Sequence, residues 1–124
     1  MNKRKILFID DDEAILSWLK LALERAGEYE VATESQSKSA MQTVRRFKPE
    51  MIFIDISMPE KDGSTIAYEI RENQAFSEVP IVFLTGAVSA DEVERSGGAI
   101  GGQTFLAKPI DMKKLIAYID QYLG

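Results

Sequence analysis

The sequence predicts an α/β protein with a doubly wound parallel sheet, and three observations carry that expectation. Short apolar runs alternate with longer amphipathic stretches along the whole chain. The strongest runs are apolar at every position, as in strands covered by helices on both faces. The residues able to do chemistry stand directly after those runs, where the open crevice of a parallel sheet lies.

Residues 6–9, Ile-Leu-Phe-Ile, form the first strand and stop at three acids, Asp10, Asp11 and Asp12. Residues 13–26 have helical spacing, with Ile15, Trp18, Leu19 and Ala22 expected on one apolar stripe and Gly27 at the C-cap. Residues 29–33 read as a second strand, and Glu30 within it suggests a sheet edge. The second helix carries Ala40, Val44 and Phe47 on one face and ends before Pro49.

Residues 51–54 form the third strand, which ends at Asp55. The turn-rich stretch from Met58-Pro59 to Asp62-Gly63 cannot be a helix interior. A helix containing Ile66, Ala67 and Ile70 follows. Residues 81–84 form the fourth strand, ending at Thr85. Ser89 and Glu92 have the spacing of a capping box for a fourth helix, which runs into Gly97, Gly98, Gly101 and Gly102. Glycine costs about 1 kcal/mol per helical position relative to alanine, so this helix is expected to be short or frayed. Residues 104–106 form a fifth strand ending near Lys108-Pro109, and Asp111 caps a final helix with Leu115, Ile119 and Tyr122.

Five strand-then-helix units with right-handed crossovers imply a five-stranded parallel sheet with helices on both faces. The weakly apolar second strand belongs at an edge, which gives the order 2-1-3-4-5. The 124 residues suit one domain, 1–124, with one core.

Composition narrows the function. The chain has no cysteine and no histidine. That excludes disulfides, Cys/His zinc sites, cysteine nucleophiles and Ser-His-Asp triads. A net charge of -5 disfavours general binding to nucleic acid or an anionic membrane. The apolar run after the basic start is too short for a signal peptide, so the expected location is cytoplasmic.

Asp10 and Asp11 after the first strand, Asp55 after the third, Thr85 after the fourth and Lys108 after the fifth therefore meet at one sheet edge. Carboxylates brought to about 4 Å repel by roughly 4 kcal/mol per pair at an effective dielectric near 20. A magnesium ion offsets that repulsion with hard oxygen ligands and accepts phosphate oxygens. A lysine and a hydroxyl opposite complete a set suited to phosphoryl transfer, with a carboxylate as the attacking group.

With these residues in this order, the chain resembles response-regulator receiver domains along nearly all its length. The acidic pair is Asp10-Asp11, the phosphoacceptor pattern is Asp55 with Met58-Pro59 and Asp62-Gly63, and Thr85, Phe105 and Lys108-Pro109 follow. The resemblance implies a flavodoxin-like fold, with Asp55 as the phosphorylated nucleophile. It implies Mg2+, with Mn2+ as substitute, held by Asp10, Asp11, Asp55 and the backbone carbonyl of Ser57. Lys108 would pair with Asp55 and then with the phosphoryl oxygens. Thr85 would shift toward the phosphoryl group, Phe105 would turn inward, and the face of the fourth helix, fifth strand and fifth helix would change. The bond before Pro109 would be cis. The implied partner is a sensor histidine kinase or a histidine phosphotransfer protein, with the downstream output undetermined. The domain itself would be no conventional enzyme, limited to phosphorylating itself from a donor and hydrolysing its own acyl phosphate.

Each residue also has a plain reading. Asp12 is chiefly a helix cap, Trp18 a core residue, and Phe105 suits a core phenylalanine as well as a switch. Three other functions compete. An aspartate-nucleophile phosphatase would place its nucleophile after the first strand and usually needs a cap domain. A flavin mononucleotide protein would need a hydroxyl-rich loop where Asp10 to Asp12 stand. A phosphorylation-independent interaction module would have no need of the acids and Lys108.

Overall fold

The computed structural model describes residues 2–87, 89–95, 99–100 and 103–124. In chain order the elements are β1 (Arg4–Ile9), α1 (Glu13–Arg25), β2 (Tyr29–Glu34), α2 (Ala40–Phe47), β3 (Met51–Asp55) and α3 (Gly63–Glu72). Then come β4 (Ile81–Thr85), α4 (Ala90–Arg95), β5 (Ala99–Ile100), β6 (Gln103–Ala107) and α5 (Met112–Leu123). The sheet order is β2-β1-β3-β4-β6-β5. The five longer strands are parallel and lie in the expected order, with β2 at one edge. The unforeseen strand is β5, whose two residues pair antiparallel with β6. Two apolar residues between glycines carry no period that a sequence reading can use.

Strand alternation divides the core into two layers. Ile6 and Phe8 of β1 join Leu16, Leu19 and Leu23 of α1 and Leu115 and Ile119 of α5 on one face. Leu7 and Ile9 join Val44 of α2 and Ile66 and Ile70 of α3 on the other. Each fully buried aliphatic side chain contributes roughly 1.5–3 kcal/mol. On the first face, Phe8 and Phe53 stack with ring centres 5.0 Å apart.

The helix starts match their caps. The Asp12 carboxylate accepts from the amides of Ala14 and Ile15, that of Asp62 from Thr65, and that of Asp111 from Lys113. Ser89 and Glu92 exchange bonds as a capping box. Gly27, with φ +84°, follows the end of α1 in the left-handed region. The helix α4 is short, as expected, and Gly97, Gly98, Gly101 and Gly102 lie outside the described residues.

Trp18 is a correction. It is 48% exposed, beside Leu21 at 56%. The inward stripe of α1 is Leu16, Leu19 and Leu23. Successive residues turn about 100°, and α1 has more apolar residues than its buried face can take. The phase that buries three leucines leaves Trp18 outside. Tyr122 is likewise partly exposed on α5, and its hydroxyl lies 2.9 Å from that of Thr104 on β6. Among the described residues, no helix is long and apolar enough to cross a membrane.

Candidate active site

The strand pairing brings the carboxyl ends of β1, β3, β4 and β6 together. Asp10 follows β1, and Asp55 closes β3 in register with Leu84 of β4. Thr85, the last residue of β4, stands opposite Ala107 of β6. The Lys108 amide donates to the Thr85 carbonyl at 2.8 Å, and the Lys108-Pro109 bond is cis.

Asp10, Asp11 and Asp55 each bring a carboxylate oxygen within 4.8 Å of the other two. Asp10 and Asp55 are buried, whereas Asp11 is exposed. The Asp10 Oδ1 accepts from the Asp12 amide at 2.9 Å. The Asp10 Oδ2 is 2.9 Å from the Lys108 ammonium. Apart from that ion pair, this buried oxygen has no hydrogen-bond partner among the described residues. Lys108 also reaches Asp55 Oδ1, at 3.5 Å. The Ser57 amide points at the same Asp55 oxygen from 3.5 Å, at the limit of hydrogen-bond length.

Burial, followed by repulsion from Asp10, pushes the Asp55 carboxyl up to about 6, against the opposing pull of Lys108. Burial acts to lower the Lys108 ammonium, but contact with Asp10 and Asp55 holds it above its ordinary value. One ammonium pairs with two of three clustered acids. A hard-oxygen donor set with surplus negative charge, one of its buried oxygens met by Lys108 alone, fits a small divalent cation.

Thr85 is buried, and its Oγ1 accepts from the Ala87 amide at 3.0 Å. Phe105 sits half-buried at the edge of the α2–α3 core layer, its ring 5.7 Å from that of Phe83 and tilted by 37°. It is therefore a packed side chain in this conformation.

Two contributors had no sequence signal. The buried Ser37 hydroxyl donates to the Pro59 carbonyl at 2.9 Å, tying the turn after β2 to the loop after β3. The Tyr118 hydroxyl donates to the Phe105 carbonyl at 3.0 Å. Both bonds end on backbone oxygens distant in sequence, which no local pattern encodes.

Residues 6–120 match the family model described as the response regulator receiver domain. The chain is 32% identical over 123 residues to the transcriptional regulatory protein GltR of Pseudomonas aeruginosa, covering 98% of this chain and 50% of that protein. It thus spans about half the length of the curated relatives it matches. Its fold superposes on chemotaxis protein CheY4 of Vibrio cholerae with a TM-score of 0.81 and 26% identity, covering 98% of this chain and 99% of that one. The signal receiver domain of a DNA-binding response regulator from Colwellia psychrerythraea gives 0.79 and 26%, covering 98% of each.

Proposed function

Since the chain belongs to the response regulator receiver domain family, we propose that it acts as a phosphorylation-dependent switch whose acceptor is Asp55. It is a signalling domain of two-component systems rather than an enzyme in the usual sense. We read residues 1–124 as that one domain. The donor is the phosphohistidine of a sensor kinase or a phosphotransfer protein. A carboxylate oxygen of Asp55 attacks phosphorus, the phosphorus–nitrogen bond breaks, and the imidazole leaves with the electron pair. The product is an acyl phosphate on Asp55, which water later hydrolyses.

Asp10, Asp11, Asp55 and the Ser57 carbonyl are the residues that would hold Mg2+, with Mn2+ as substitute. The ion, when bound, supplies positive charge to the phosphoryl oxygens. Lys108 neutralises a further phosphoryl oxygen, exchanging its contact with Asp55 for one with the phosphate. Thr85 donates its hydroxyl proton to another, giving up its bond to the Ala87 amide. Phe105 then turns inward beside Phe83, and the face of α4, β6 and α5 changes its affinity for the output partner. That partner is a protein surface rather than DNA or a membrane, and the domain works in the cytoplasm.

One observation carries this reading: three carboxylates converge within 4.8 Å, and the two buried ones, Asp10 and Asp55, share a single lysine. The test is intact mass after incubation with Mg2+ and acetyl phosphate or phosphoramidate. One phosphoryl group should add, and none should add in Asp55→Asn or in EDTA. No addition from either donor, in folded protein that binds Mg2+, would leave an interaction module that works without phosphorylation.

A further inference from the structure

We propose that Gly63 is a positioning residue for the Asp55 site, because only a residue without a side chain lets α3 begin directly against the Asp55 backbone. Gly63 is buried at the first position of α3, and its amide donates to the Ile56 carbonyl at 2.9 Å. A Cβ built there would overlap the Asp55 carbonyl oxygen. It would also lie 2.9 Å from Ile56 Cα and 3.0 Å from the Asp55 carbonyl carbon. All three atoms are backbone, so no flexible side chain can yield.

Asp55 itself cannot easily move. It closes β3 in register with Leu84, and the next amide, that of Ile56, donates to the Leu84 carbonyl at 3.0 Å. What gives way is the loop from Ile56 to Asp62. That loop is closed at its base by the Gly63–Ile56 bond and held at mid-length by Ser37 on the Pro59 carbonyl. Within it stand Ser57, whose amide points at Asp55 Oδ1, and Glu60, at φ +71°. A methyl group at residue 63 therefore pushes Ser57 away from Asp55 while leaving every acid in place.

The inference rests on the metal-assisted reading above, and its test separates the two. Mn2+ affinity is measured by electron paramagnetic resonance, and phosphorylation by intact mass. The amide signals of Ile56 and Ser57 are followed by NMR in metal-free protein. Gly63→Ala should bind Mn2+ at least about tenfold more weakly, the size of effect seen when support behind a metal ligand is lost. It should also displace the Ile56 and Ser57 amide signals before any metal is added. Ile66→Val, which loosens the same helix without touching Asp55, should lower the melting temperature but keep wild-type Mn2+ affinity. If Gly63→Ala does not fold alone, the amides are compared in the Asp55→Asn background, which relieves the charge crowding. Unchanged amides there, or wild-type Mn2+ affinity in Gly63→Ala, overturn the inference and leave the switch reading intact. A wild-type protein that neither binds Mn2+ nor takes up phosphoryl overturns both.

Discussion

The fully buried Asp10 carboxylate keeps one oxygen 2.9 Å from the Lys108 ammonium, closer than Lys108 comes to the proposed acceptor. In this conformation the lysine leans toward Asp10 rather than Asp55. Two buried carboxylates thus divide one cation, and the deficit is what a divalent ion would make good.

Mg2+ should stabilise the fold. At a hundred times its dissociation constant, an ion bound only by the native state adds about 2.7 kcal/mol. For a domain of this size that is roughly 10 °C in melting temperature. Differential scanning fluorimetry with Mg2+ and then with excess EDTA reads the gain and its reversal. A melting point indifferent to both would show that the acids hold no ion.

In EDTA, Asp55→Asn should be more stable than wild type at pH 7.5. The folded carboxyl is raised to about 6 from an ordinary 3.8. The native state therefore holds its proton at a pH where the unfolded chain has lost it. The stability this gives is complete below 3.8 and is lost as pH rises through about 6. The loss amounts to no more than about 3 kcal/mol. The advantage of Asp55→Asn should accordingly shrink toward zero near pH 4. Urea titrations across this range measure it, and an advantage constant with pH would contradict the burial argument.

Lys108→Ala should weaken the fold and the chemistry together. It strips Asp10 and Asp55 of their shared partner, at a cost of about 2 kcal/mol. It also removes a charged donor from the transferring phosphoryl group, which should slow acetyl phosphate labelling about 100-fold. Chemical denaturation and time-resolved mass spectrometry report the two effects separately. Labelling at the wild-type rate would remove Lys108 from the proposed chemistry.

Trp18→Ala should change stability by less than about 0.5 kcal/mol, as for an ordinary surface substitution. Leu19→Ala, one residue on, should cost about 2–5 kcal/mol. Equal losses would restore Trp18 to the core.

The sheet order was legible because β1, β3 and β4 are apolar throughout their cores, the weakly apolar β2 marks an edge, and each strand is followed by helical spacing. Asp10, Asp11, Asp55 and Lys108 could be brought together because parallel strands deliver their carboxyl ends to one side. The inward phase of α1 was not legible, since Ile15, Leu16, Trp18, Leu19, Leu21 and Leu23 offer more than one apolar stripe. Only packing against Phe8 and its neighbours selects among them. Gly63 stood in the sequence as a turn residue, and its closeness to the Asp55 carbonyl exists only once α3 is docked. The bonds from Ser37 and Tyr118 were beyond reach for the same reason.

The two tyrosine hydroxyls of α5 have a mechanical consequence. Tyr118 grips the carbonyl of Phe105 and Tyr122 the hydroxyl of Thr104, so helix and strand are fastened at neighbouring rungs. Sliding one past the other breaks both bonds, at up to about 2 kcal/mol in all. The position of α5 is thus tied, through adjacent residues, to the strand that carries Phe105.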